Sequence, residues 1–167
     1  MTQPTLEWSI AKVDQKLRID YTITNNLPQK IYVANTLIEP KGNDNFVRVD
    51  QPVVQTVLGA PGLVLVGLGA FSSSRPSTVV FQPIFNPLEA GKSLTGHLLI
   101  AVPLSAYNPV GGADPIPASA NKMSLRITYF KGEPSSWKTM PSKEKNPIKV
   151  PDGFTTEMLQ SEPKPLP

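Results

Sequence analysis

The chain has 167 residues, which is enough for one domain with its own hydrophobic core. Its 16 Lys or Arg and 13 Asp or Glu residues leave a net charge of +3, which indicates polyanion binding only weakly, and no nucleic-acid partner is expected. The absence of cysteine excludes a disulfide scaffold, a thiol nucleophile and a cysteine-ligated metal. No signal peptide is predicted, so the compartment is cytoplasmic if Met1 is native and the cell envelope if a leader was removed.

The N-terminal residues alternate between apolar and polar side chains. Residues 17–23, Leu-Arg-Ile-Asp-Tyr-Thr-Ile, have a period of two, which is typical of a β-strand with one buried face. Residues 6–10 alternate in the same way, and Asp14-Gln15 is predicted to turn between the two strands. Further strands are predicted, in chain order, at 31–38, 46–49, 53–58, 63–68, 78–81, 94–102 and 123–130.

The 19 prolines and 11 glycines leave little room for long helices. Strands at a spacing of about ten residues with turn signals between them predict an all-β, antiparallel sandwich. Residues 1–130 are interpreted as this single domain. Residues 131–167 are interpreted as an irregular, extended arm rich in Pro and Lys that packs on the same domain, with one possible short helix at 155–161.

Residues 51–113 are almost uncharged, since only Arg75, Glu89 and Lys92 of the 29 charged side chains lie there. A membrane-spanning helix would need about 20 uninterrupted apolar residues, and the turn signal at 59–62 argues against one. Two buried strands of a hairpin are one interpretation. The other is a contact surface for a protein partner or a second copy, for which the candidate residues are Val53, Val57, Leu63 and Leu65.

No pattern of catalytic, cofactor-binding or metal-binding residues is present. His97 is the only histidine, and no Gly-x-Ser-x-Gly motif accompanies it. It is expected to be half-exposed on a strand, in the opposite phase to Leu98 and Ile100. The sequence therefore predicts no catalytic residue, no cofactor and no metal site.

Aromatic side chains offer a different kind of site. Trp8 is in phase with Leu6 and Ile10, which favours packing in the core. Tyr107 and Trp137 lie in segments predicted to be loops, where exposed aromatic rings often anchor a partner or stack on a sugar.

Two stretches resemble a known family. Residues 19–33, Ile-Asp-Tyr-Thr-Ile-Thr-Asn-Asn-Leu-Pro-Gln-Lys-Ile-Tyr-Val, are similar to the strand, Asn-containing turn and strand of immunoglobulin-like domains. Residues 81–93 and 125–130 resemble the proline-rich approach, Gly-Lys turn and late strand in the N-terminal domain of periplasmic pilus chaperones. The resemblance implies an immunoglobulin-like sandwich, but the basic pair with which that family holds a subunit's carboxyl end has no counterpart here.

These observations predict a non-catalytic binding or assembly module. It would associate with a protein partner or with itself, through a charge-poor sheet surface or a strand edge. The alternative is a carbohydrate- or small-ligand-binding module that uses Tyr107 and Trp137, and an enzyme of unrecognised type is the third possibility.

Overall fold

A computed structural model describes residues 3–42, 45–57, 59–69, 83–109 and 113–167. These residues form strands and no helix, so the all-β prediction is confirmed. The strands are β1 (Thr5–Val13), β2 (Lys16–Thr24), β3 (Ile31–Pro40), β4 (Phe46–Val49), β5 (Val53–Thr56), β6 (Leu63–Leu68), β7 (Ile84–Leu88), β8 (Ser93–Ala101), β9 (Lys122–Lys131), β10 (Ser136–Met140), β11 (Ile148–Asp152), β12 (Glu157–Gln160) and β13 (Lys164–Pro165). The strand predicted at 78–81 and the end of the one predicted at 53–58 lie outside the described residues.

The small sheet consists of three antiparallel strands in the order β1-β2-β8. Nine residue pairs join β1 to β2, and nine more join β2 to β8 without a break in register. The turn between β1 and β2 lies where the sequence predicts it, and Asp14 there adopts a φ of 54°, which aspartate tolerates better than most residues. The period-two pattern of residues 17–23 matches the observed burial, since the apolar side chains are buried and the others are not.

The large sheet contains the path β4-β3-β9-β6-β5, and β7, β12 and β13 pair with strands of that path. Strands β5 and β6 form the predicted hairpin. Strand β6 runs parallel to β9, which departs from the expected antiparallel sandwich. A parallel pair needs a long connection, and here residues 69–121 supply it, including β8 of the other sheet.

The two sheets bury their inner faces against each other. One hydrophobic cluster contains side chains of the small sheet, such as Ile19 and Ile23, together with side chains of the large sheet, such as Ile127 and Val66. The fold is therefore a two-layer arrangement around a main core that both sheets share, and a smaller separate cluster contains Ile38, Ile148 and Val150.

The C-terminal segment contains more regular structure than its prolines indicate. Strands β10 and β11 form a hairpin, and β12 and β13 both pair with β9. The helix predicted at 155–161 is wrong, because residues 157–160 form β12. Pairing with β9 outweighs the local preference of so short a segment.

No helix long and apolar enough to cross a membrane occurs in the described part of the chain.

Candidate functional site

The four candidate residues of the charge-poor hairpin do not form an exposed surface. Val53 and Leu65 are only 1% and 2% exposed, and Val57 and Leu63 are partly buried. Neighbouring side chains on a strand point to opposite faces, and Val54 and Val66 are fully buried as well. Both faces of the hairpin are therefore covered within this chain, which corrects the expectation that Val53 and Leu65 face a partner.

Tyr107 lies at the edge of the large sheet and is partly buried. Its backbone N–H and C=O bond those of Val54 at 2.8 and 2.9 Å, and its hydroxyl donates to Glu39 at 3.1 Å. Burial first, and then the Glu39 carboxylate, raise the pKa of the Tyr107 hydroxyl to about 12. The residue is thus held in the structure by its backbone and by its side chain.

Trp137 is 41% exposed and lies on β10 rather than in a loop. Its ring packs at a tilt on Tyr32, with 5.5 Å between ring centroids. The Tyr32 hydroxyl and the Lys30 ammonium both donate to Glu133 at 2.6 Å. Lys30 first and Tyr32 second lower the pKa of the Glu133 carboxyl.

Tyr107 and Trp137 contact opposite ends of β3, because Tyr107 bonds Glu39 and Trp137 packs on Tyr32. Seven residues of strand separate these ends, roughly 23 Å at about 3.3 Å per residue. The two aromatic side chains predicted as a joint binding platform are not brought together.

The two outermost strands of the large-sheet path, β4 and β5, are both short and both capped. On β4, the N–H of Phe46 donates to the carbonyl of Pro141 at 2.8 Å, and the N–H of Arg48 donates to the Glu144 carboxylate at 2.7 Å. On β5, Tyr107 occupies the outer side of Val54, as described above. Capped edges of this kind do not accept another strand.

The outer edge of β1 is also protected. This strand contains Glu7 and Lys12, and the ammonium of Lys164 donates to the backbone carbonyl of Trp8 while lying 5.1 Å from the centroid of its ring. A charged side chain bound to an edge carbonyl blocks one of the hydrogen-bonding positions that an added strand would need.

Within the part of the chain that the structure describes, strand β8 has none of these protections. It has nine residues, Ser-Leu-Thr-Gly-His-Leu-Leu-Ile-Ala, without Pro, Lys, Arg, Asp or Glu and without a bulge. Among the described strands, only β2 pairs with it. Leu99 on its outer surface is 43% exposed.

The free hydrogen-bonding groups of β8 follow from its register. At its two ends, the N–H of Val102 donates to Gln15 and the carbonyl of Lys92 accepts from Asn25, so the even-numbered residues face β2. Because backbone groups alternate along an antiparallel strand, those of Thr95, His97, Leu99 and Ala101 point away from β2.

A groove of about 280 Å³ lies between the β8 edge and the large sheet. The described residues that line it are Asn35, Thr36, Val49, Asp50, Pro52, Leu68, His97, Leu98 and Leu99. Asn35 is the extra residue of a bulge in β3, where the register with β7 shifts between Ala34 and Thr36. The edge and the groove together form the candidate site, called here the β8 site.

His97 is exposed, as expected from its phase, and lies opposite Asp20 on β2. It also borders a depression of about 510 Å³ on the outer face of the small sheet. The Asp20 carboxylate accepts three hydrogen bonds of 2.9 to 3.0 Å from Arg18, whose guanidinium is the main cause of the lowered pKa of Asp20. No group of three or more His, Cys, Asp or Glu residues suited to a metal ion occurs within the described ranges.

The β8 site was not among the residues singled out from the sequence. The sequence shows that residues 93–101 lack charge, but whether a strand lies at an edge depends on which strands pair with it.

Comparisons of the chain with protein-family models, with curated proteins and with solved structures give no match.

Proposed function

We propose that the protein is a non-catalytic binding module that takes up an extended segment of a protein partner by strand addition at the β8 site. The observation that carries this proposal is the contrast between β8 and the protected strands β1, β4 and β5. A long and uncharged edge that no described strand pairs with offers backbone donors and acceptors in the arrangement that an added strand needs. An immunoglobulin-like relationship is consistent with this role and stays a prediction.

The groove supports the same function. An added strand would alternate its side chains, and those on the inner side would enter the groove beside Leu68 and Leu98. The site lies partly within the charge-poor segment 51–113, so association through that segment is retained with β8 as its contact strand. The carbohydrate-binding alternative has less support, since Tyr107 and Trp137 lie at opposite ends of β3.

Amide hydrogen exchange of the monomer at micromolar concentration tests the proposal. We expect slow exchange for Leu94, Gly96, Leu98 and Ile100, whose N–H groups face β2, and fast exchange for Thr95, His97, Leu99 and Ala101. Addition of a decapeptide of alternating Thr and Val should protect the fast set. Protection of all eight amides in the monomer alone would show that the edge is already covered and would refute the proposal.

A pair of proline variants tests whether the peptide binds at the outer edge of β8. Leu99→Pro removes an N–H that points away from β2, so the fold should persist while peptide binding is lost. Lys12→Pro makes the same change on the outer edge of β1 and should leave peptide binding intact.

A further inference from the structure

Among its described residues, the groove of the β8 site combines an apolar wall with a single carboxylate. Val49, Leu68 and Leu98 supply aliphatic side chains, and Asp50 lies among the lining residues. Asp50 is exposed and forms no ion pair with any described residue. No Lys or Arg is among the described residues that line the groove.

A second hydrogen-bond acceptor, besides the Asp50 carboxylate, belongs to a residue that lines the groove. The side-chain oxygen of Asn35 is buried and accepts no hydrogen bond from any described residue. A buried acceptor without a donor costs about 1–3 kcal/mol, so a native structure that retains one calls for an explanation. The Asn35 oxygen is itself too buried for a ligand in the groove to contact directly, so the exposed Asp50 carboxylate is the acceptor that a ligand would reach.

A long cationic side chain suits this arrangement. Its aliphatic stem lies on apolar residues while its charged head reaches a carboxylate. We infer that the segment bound at the β8 site carries a lysine, or another long cationic side chain, at a position whose side chain points into the groove. This inference rests on the proposed function, since it concerns the identity of the added strand.

A second copy of β8 does not meet this requirement. Residues 93–101 contain no Lys or Arg, and the inner side chains Leu98 and Ile100 are buried in the copy's own core. The chemistry of the groove therefore favours a lysine-containing segment of another protein over pairing between two β8 edges.

Binding of labelled decapeptides tests the inference. Four peptides alternate Thr and Val and differ at one inner position, which holds Lys, norleucine, Glu or Val. Norleucine has the four-carbon stem of lysine without the ammonium group, so the comparison isolates the contribution of the charge. We expect the Lys peptide to bind about 3- to 10-fold more tightly than the norleucine peptide in low salt, and the ratio to shrink as salt is added.

Two protein variants with the same change of charge test whether the preference for the Lys peptide depends on Asp50. Asp50→Asn should bring the ratio of the Lys and norleucine peptide affinities close to one, whereas Asp114→Asn, at an exposed carboxylate outside the groove, should leave this ratio unchanged.

Four outcomes would contradict these proposals. Equal binding of the Lys and norleucine peptides, or a Lys preference that survives Asp50→Asn, would overturn the inference while leaving strand addition standing. Failure of all four peptides to bind would overturn strand addition as well. Concentration-dependent sedimentation of the protein alone, lost in Leu99→Pro, would identify a second copy as the occupant and would contradict the inference.

Discussion

Tyr21 packs over the backbone of Gly96, its direct partner on the neighbouring strand. A Cβ atom added at Gly96 would lie 2.3 Å from the Tyr21 hydroxyl oxygen and 2.4 Å from the ring carbon that carries it. Tyr21 is buried, and burial raises the pKa of its hydroxyl. The missing side chain at position 96 therefore makes room for the aromatic ring that covers this part of the small sheet.

We expect Gly96→Ala to lower the free energy of unfolding by about 1–3 kcal/mol, because the ring must move from a well-packed position. Urea denaturation measures the change. In a Tyr21→Leu background the same substitution should cost much less, because the contact that causes the clash is gone. An equal loss of unfolding free energy in both backgrounds would mean that position 96 requires glycine for its backbone conformation and not to make room for Tyr21.

Glu157 connects the C-terminal strand β12 to β9. Its carboxylate lies 2.8 Å from the Lys131 ammonium and accepts a hydrogen bond of 2.7 Å from the Tyr129 hydroxyl. Lys131 first and Tyr129 second lower the pKa of this carboxyl in the folded chain. The unfolded chain, with a glutamate pKa of about 4.3, takes up the proton first as the pH falls.

The stability that Glu157 contributes is therefore fully present above about pH 5 and is lost as the pH falls through its lowered pKa. Glu157→Gln should melt at a lower temperature than the unmodified protein at pH 7, and the two melting curves should converge toward pH 3. Thermal denaturation at several pH values measures this. Glu162→Gln, at an exposed position, serves as the control and should follow the unmodified protein throughout. A difference that is independent of pH would rule out the ion pair as its cause.

At the scale of elements, β12 and β13 complete the large sheet beside β9. Leu159 is buried in the core, and the segment that follows it bonds β9 through Ser161, whose N–H donates to the Leu125 carbonyl at 2.9 Å. The hydroxyl of Ser161 in turn accepts from the N–H of Leu125 at 2.9 Å. These contacts make the C-terminal strands part of the fold rather than an appendage.

Deletion of residues 157–167 should lower the melting temperature by about 10 °C, because burial of Leu159 alone is worth about 2–4 kcal/mol and each kcal/mol shifts a domain of this size by about 2–4 °C. A synthetic peptide of residues 155–167 added to the truncated chain should restore much of the loss, and a scrambled peptide should not. An unchanged melting temperature after the deletion would show that β9 does not depend on these strands.

The strands that the sequence predicted well are those with one buried face, such as β1 and β2, because burial then appears directly as alternation. Strands β10 to β13 were missed because they are short and lie among prolines, and because β12 and β13 owe their conformation to β9. The parallel pairing of β6 with β9 was missed for a related reason. No local pattern states which distant strand will be the neighbour.

The same limit applies to the candidate site. The absence of charge in residues 51–113 predicts either a buried hairpin or a contact surface at Val53 and Leu65, and both of these side chains lie in the interior. A charge-poor strand looks the same in sequence whether it is buried or lies at an edge, because the sequence does not state how many strands pair with it. Only the strand order distinguishes β5 and β6, which are covered, from β8, which has a described strand on one side alone.

At the scale of the whole molecule, the parallel pairing of β6 with β9 has a consequence for synthesis on the ribosome. The small-sheet hairpin of β1 and β2 is local and forms as soon as it emerges, whereas β6 must wait for residues 122–127 and β9 in turn for residues 157–165. Contacts so distant in sequence make folding slow. After β6 is made, about a third of the chain must still be synthesised before its partner segment in β9 exists, so we expect nascent chains to expose the apolar edge of β6 during that interval and to be prone to aggregation.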